Sequence, residues 1–478
     1  MIGDMSSVKK TSVGSVAPRA RRRILAALAL SVVALPAAAQ RAELEKRIQR
    51  TTLPNGLEVI VVPNPGVPLV TIEAAVRNGS FTQAPEFAGL SHLYEHMFFK
   101  ANADYPQPDE FINRASELGA VFNGNTREEV VNYYLTLPKD SVEGGMRFLA
   151  SALKSPLFRQ DELERERAVV IGEYDRNESS PLFSFSHESD KALWTSGWSR
   201  KDPLGERDVI LSTTPDKMRF IQQRYYVPNN TALILTGDVS VEKAFALARS
   251  TLGDWRRGAD PFAQNPIPPI PLLQHDTAVI AAAPISTAIL QIQWDGPSAM
   301  KDPAATYAAD VFSDVLNAPG SKFQLRLVES GLFENLVVNY YTQNQVGPIT
   351  ISGEVQPEKL KEALVALDDE LRKVVEPGYI TTRELEDTKQ HRIVDAMFQL
   401  ERASGFAQQL GFWWAVTGLD YFYGYVDTMA KQSPEDLRRY ATTYIIGRPR
   451  VVGAVLPAEA RAAIKLTTAD LLQRRIRP

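Results

Sequence analysis

One segment of this chain recurs, and the recurrence constrains its fold more than any other feature. Pro215-Asp216-Lys217-Met218-Arg219 has a counterpart in Pro434-Glu435-Asp436-Leu437-Arg438. Ten residues into each segment, Tyr225 matches Tyr444, and an apolar, strand-like run follows at residues 232–235 and 451–455. The shift is 219 residues up to the tyrosine and drifts beyond it. Self-similarity at a fixed spacing points to a duplicated domain; the alternative is two unrelated helix-to-strand units with similar starts. Length agrees with duplication, since 478 residues exceed one ordinary core and fit two domains of about 200 residues. Between the copies lie Pro261, Pro266, Pro268, Pro269 and Pro271. Proline removes backbone donors and favours extended chain, so residues 259–275 are expected to form a semi-rigid linker. The expected domains are residues 40–258 and 276–478.

The first 39 residues differ from the rest. Lys9, Lys10, Arg19, Arg21, Arg22 and Arg23 precede an apolar run at 24–35, then Pro36 and small residues up to Gln40. That is the layout of an export signal, too short in its apolar part to span a bilayer comfortably. A periplasmic location, or secretion as second choice, is expected, with no stable membrane insertion after cleavage. Six positive charges and one negative lie in this stretch, so its removal moves the net charge from −4 to −9. Neither value suits general nucleic-acid binding. The chain has no cysteine, which excludes disulfides, thiolate metal sites and cysteine nucleophiles. A transition-metal site here must use histidine and carboxylates.

Strands are expected at 57–62, 69–76, 130–137 and 232–235, and helices at 42–49, 89–100, 108–118, 160–178 and 241–252. Two of the five histidines fall in Gly89-Leu90-Ser91-His92-Leu93-Tyr94-Glu95-His96-Met97-Phe98-Phe99. Helical spacing sets His92 and His96 one turn apart on one face, with Glu95 beside them and Leu90, Leu93, Met97 and Phe98 available for packing. Two imidazoles so placed can reach one ion. A catalytic zinc site keeps three protein ligands and leaves a place for water, whose pKa falls from about 15.7 towards 7. A carboxylate then takes the proton as the water attacks a peptide carbonyl, which is the role available to Glu95.

The third ligand must come from elsewhere, and the acidic helix at 160–178 offers it. Glu166 and Glu173 are seven apart and share a face, with Val169 and Val170 between them, so spacing does not choose between the two. Glu162, Glu164, Arg165 and Arg167 read as a solvated surface. His187, His275 and His391 stand alone and read as packing or surface residues. The aromatic cluster around Trp413 and Trp414 reads as core or domain interface.

HLYEH at 92–96 and ERAVVIGE at 166–173 resemble the motifs of the pitrilysin/insulinase family, which includes the mitochondrial processing peptidases. The resemblance covers nearly all of the chain after residue 39. It implies an α+β fold of two duplicated domains, each an antiparallel sheet with helices packed on one side. It implies Zn²⁺ held by His92, His96 and Glu173, with Glu95 as base and Glu166 as a carboxylate that supports catalysis without binding metal. Asn123, Gly124 and Asn125 resemble the family's substrate-binding edge strand, where a peptide substrate would pair through its backbone.

The family also places an arginine and, seven residues on, a tyrosine against the substrate; here these positions are Arg326 and Phe333. Phe333 lacks the hydroxyl, and loss of one such donor can cost about 10²–10³ in rate. Some bacterial members work as unequal pairs, so a homologous subunit, as a heterodimer or homodimer, is an expected partner. The leading expectation is a zinc-dependent endopeptidase acting on peptides or unfolded segments. The alternatives are a non-catalytic peptide-binding or structural subunit of a paired complex, and a zinc carrier.

Overall fold

The computed structural model describes residues 37–474 apart from 108 and 399. The export signal read over residues 1–39 therefore lies outside the described residues except for its last three positions. Among the described residues, no helix is long and apolar enough to cross a membrane.

Two mixed sheets organise the chain. The first contains β1 (Gln49–Thr52), β2 (Glu58–Pro63), β3 (Leu69–Val76), β4 (Val121–Thr126), β5 (Val131–Pro138) and β6 (Thr231–Gly237), in the order β1-β2-β6-β3-β5-β4. The second contains β7 (Thr277–Ala282), β8 (Ala288–Asp295), β9 (Asn335–Tyr340), β10 (Pro348–Val355) and β11 (Val451–Leu456), in the order β7-β11-β8-β10-β9. With β1 set aside, the two orders are the same. The one parallel pair also recurs, β2 with β6 and β7 with β11.

The repeated segments form helices of equal length, Pro215–Tyr225 and Pro434–Tyr444, and each leads into the strand that makes the parallel pair. The α+β fold of two duplicated units is thus present in topology as well as in sequence.

The inner strands β3 and β6 of the first sheet are buried without alternation. Every residue of β6 is buried, as are all but the first of β3. A strand that reads this way must be covered on both faces. One face of the first sheet packs on helices of its own half, including Leu90–Phe98 and Val142–Lys154, which contribute Leu93, Met97, Phe148 and Leu149 to the main core.

The other face is covered from the second half. Helix Ala403–Val416 lays Phe406, Leu410 and Trp414 over Ile60, Ala75 and Ile234. Gly411 permits the close approach, because a Cβ there would collide with Glu73. The loan is returned: helix Phe183–Trp194 sets Phe185, Leu193 and Trp194 against Val279, Val451 and Val455 of the second sheet. Each sheet therefore has helices of its own half on one face and a borrowed helix on the other.

The proline-rich stretch is extended apart from the short helix Pro261–Gln264. It is pinned to both halves. Arg200 donates to the Pro268 and Pro269 carbonyls, Gln345 donates to the Pro268 carbonyl at 3.3 Å, and Ile270 and Leu273 are buried.

Candidate metal centre

The sequence LSHLYEHMF folds as an amphipathic helix over Leu90–Phe98. Leu90, Leu93 and Tyr94 are fully buried, and the ring of Tyr94 stacks on Tyr226 with centroids 4.0 Å apart. That packing fixes which face turns outward, and His92, Glu95 and His96 lie on it, half-buried. The acidic helix Gln160–Glu178 runs alongside, anchored by buried Leu163, Val170 and Tyr174. Its periodicity brings Glu166 and Glu173 to the same side as the histidines. Glu162, expected on the solvated surface, is instead buried and accepts a hydrogen bond from the Ala101 amide at 3.3 Å, whereas Val169 is exposed.

The two carboxylates that spacing left equivalent take different places. Glu173 Oε2 lies 3.5 Å from His92 Nε2 and 3.7 Å from His96 Nε2. Glu166 reaches the far side of the His96 ring, with Oε2 3.2 Å from Nδ1, while its Oε1 lies 2.7 Å from Lys100 Nζ. One donor atom each from His92, His96 and Glu173 falls within 4.8 Å of the others, and among the described residues no other group of three or more His, Cys, Asp or Glu side chains does so. These residues, with Glu95, Lys100 and the edge of β4, line an open cleft of about 410 Å³.

Burial, reinforced by the neighbouring His96, pushes His92 down to about 4, so its ring is neutral at neutral pH and keeps a lone pair. Burial opposes the charged form of His96 as well, but its hydrogen bond to the Glu166 carboxylate and the charges of Glu95, Glu173 and Glu166 outweigh it and raise its pKa. Burial raises Glu95 against the opposing effects of His96 and Thr126. For Glu166, burial is outweighed by His96 and Lys100, and its carboxyl sits below the usual range. The set fits a divalent cation. Two imidazoles and a carboxylate are a zinc donor set, and the buried His92 Nδ1 has no hydrogen-bond partner among the described residues.

The strand β4 has a neighbour on one side only, β5. Its residues Asn123, Gly124 and Asn125 line the cleft opposite the histidines. Thr126 Oγ1 donates to Glu95 Oε2 at 3.0 Å, and the Gly124 amide is engaged by the Asn123 side chain at 2.9 Å.

Two residues expected to touch substrate do not line this cleft. Phe333, expected against substrate, is 2% exposed and belongs to the core of the second half. Its apolar ring packs beside Gly353 of β10. Arg326 is half exposed but paired with Glu370 at 2.8 Å.

The second half repeats the helix pair without the donors. Helices Pro303–Asn317 and Thr382–Phe398 stand where the histidine and acidic helices stand in the first half. Counted at the 219-residue offset, Val311, Asp314, Val315 and Arg392 fall at the positions of His92, Glu95, His96 and Glu173, although the counterpart of the acidic helix begins 222 residues on. Arg392 pairs with Asp314 at 2.7 Å and Asp310 at 3.2 Å and donates to the Tyr425 hydroxyl at 2.8 Å. A guanidinium thus closes the second copy. The exchange was visible in the sequence once the repeat was taken as a ruler.

The chain is similar to known proteins over most of its length. Residues 58–199 match the family described as Insulinase (Peptidase family M16), and residues 212–391 match the Peptidase M16 inactive domain. The chain is 24% identical over 407 residues to "Zinc protease PqqE" of Helicobacter pylori, covering 81% of this chain and 87% of that one. It is 24% identical over 362 residues to "Uncharacterized zinc protease YmxG" of Bacillus subtilis, covering 74% and 85%. A solved protease from Helicobacter pylori superposes with a TM-score of 0.75 at 22% identity, over 86% of this chain and 99% of that one. The periplasmic protease PqqL from Escherichia coli gives 0.76 at 17% identity, over 89% and 49%. With its histidine and acidic helices inside the first matched region, the chain belongs to the insulinase family of peptidases, M16, and its later part carries that family's inactive domain.

Proposed function

We propose that this chain is a zinc-dependent endopeptidase in which His92, His96 and Glu173 hold the ion. The observation that carries the reading is the convergence of three donors from two helices distant in sequence to within 4.8 Å. Bound zinc would polarise the scissile carbonyl and lower the pKa of its water. Glu95 stands beside the donors with one oxygen held by Thr126. Its other oxygen is free to take a proton from the attacking water and deliver it to the leaving amine. Glu166 keeps the His96 ring turned so that Nε2 faces the cleft. The peptide adds to β4 as a further strand, displacing the Asn123 side chain from the Gly124 amide, so selection rests on backbone more than on side chains.

The finer assignments follow the same reading. The two units divide at the proline-rich stretch. Export to the periplasm rests on the layout of residues 1–39 and fits the periplasmic location of the similar PqqL protease of Escherichia coli. The substrate-facing tyrosine absent at 333 is supplied by a homologous subunit. The competing reading, a peptide-binding subunit without catalysis, is favoured by the missing tyrosine and by the match of residues 212–391 to the family's inactive domain.

Metal analysis with a quenched-peptide assay, with and without chelator, tests the proposal. Glu95→Gln should retain one zinc per chain and lose cleavage. Undiminished cleavage in that variant would refute the assignment of Glu95. A chain that binds zinc but cleaves nothing, alone or with its homologous subunit, would favour the competing reading.

A further inference from the structure

Lys100 lies one turn beyond His96, where the histidine helix ends and its own amide closes onto the Met97 carbonyl. Neither motif that identifies the site includes it. Its ammonium lies 2.7 Å from Glu166 Oε1, while the other oxygen of the same carboxylate faces His96 Nδ1 at 3.2 Å. Both oxygens of Glu166 are therefore committed, one to the lysine and one to the imidazole. We propose that Lys100 is a positioning residue of the metal centre: by pairing with Glu166 it fixes the orientation of His96 and completes the charge balance around the ion. The inference rests on the zinc reading above.

The bland alternative is an ordinary surface ion pair, worth little. Three observations weigh against it. The Glu166 side chain is only 11% exposed, so its charge is poorly served by water. Lys100 lines the same cleft as the histidines. Three carboxylates meet there, Glu95, Glu166 and Glu173, against one ammonium, and the remaining two negative charges match a divalent cation. Arg176 approaches the outer oxygen of Glu173 at 3.8 Å but is three-quarters exposed, where solvent screens it. Without Lys100, Glu166 is a mostly buried carboxylate beside two others, free to rotate away from His96. An imidazole that loses its outer hydrogen bond binds metal less well.

The test uses the full chain stripped of metal, with zinc affinity measured by chelator competition and with kcat and KM measured separately. Lys100→Met is expected to weaken zinc binding about 10- to 100-fold and to lower kcat at zinc saturation with KM little changed. Lys100→Arg is expected to restore most of both. The Glu166→Gln background identifies the route: there, adding Lys100→Met should change zinc affinity less than about twofold, because the two residues act in series. Zinc affinity of Lys100→Met within about twofold of the unsubstituted chain would overturn the proposal. So would an equal loss in both backgrounds, which is the mark of bulk charge. If the unsubstituted chain itself binds no zinc, the metal reading falls and this inference falls with it; a zinc-binding chain indifferent to Lys100→Met overturns this inference alone.

Discussion

Gly124 of β4 faces the proposed base Glu95, and replacing it with alanine should separate catalysis from stability. A Cβ built on Gly124 lies 2.5 Å from Glu95 Oε1, 2.7 Å from Cγ and 2.9 Å from Cδ, whereas ordinary contact begins at 3.4 Å. The glutamate must therefore move by about 1 Å, and a misplacement of that size costs about 10²-fold in rate. The atoms that must yield are the end of a flexible side chain facing an open cleft. The fold loses little, and the donors His92, His96 and Glu173 stay where they are. Gly124→Ala should then show kcat/KM reduced about 100-fold, one zinc per chain, and a thermal midpoint within a few degrees of the parent. The assay pairs a quenched-peptide cleavage series with metal analysis on the same preparation. Full kcat in a zinc-loaded Gly124→Ala chain would mean that the position of Glu95 does not matter, and the assignment of the base would fail.

Other perturbations probe the parts that surround the site. Arg392→Met strands Asp310 and Asp314 without their guanidinium and should cost about 3–5 kcal/mol in urea unfolding, with zinc affinity unchanged. Glu73 lies fully buried beneath the borrowed helix, and burial, only partly offset by Asn132 and Arg127, pushes its pKa up from 4.5 to about 8. The folded chain therefore holds a proton that the unfolded chain has released. Stability from this group falls as pH rises from about 4.5 to about 8. Glu73→Gln should flatten that decline, read as urea midpoints at pH 5 and pH 8; an unchanged slope would clear Glu73 of the effect. Gly411→Ala drives a methyl group into Glu73 and should destabilise the packing of Ala403–Val416 on the first sheet by about 1–3 kcal/mol, seen as earlier hydrogen exchange along that helix.

The repeat, the histidine helix and most of the first half were legible because each depends on local pattern. The expected strand at 69–76 is β3 itself, and the expected helices at 160–178 and 241–252 have the same bounds in the structure. Glu166 and Glu173 were legible as a pair but not in their roles. Seven residues apart on one helix, they differ in which side of the His96 ring each one meets and in their second partner, His92 for Glu173 and Lys100 for Glu166, and that is set by the packing of one helix on another. The fate of Phe333 and of Glu162 depended on burial, which single residues do not announce. Lys100 was invisible for a similar reason: a lysine after an apolar helix is ordinary until the carboxylate from a separate helix is placed beside it. The borrowed helices left a trace in the apolar run 232–235 of β6, which demands cover on both faces without saying where the cover comes from.

That exchange of helices bears on how the chain is made. The last strand of the first sheet ends at Gly237, and the helix that roofs its second face begins only at Ala403. A ribosome adding about 5–20 residues per second needs roughly 10–30 seconds to span that interval. Until that helix arrives, whether on the ribosome or after export, Ile60, Ala75 and Ile234 lack the cover of Phe406, Leu410 and Trp414, and the half-built layer exposes apolar surface open to chaperones.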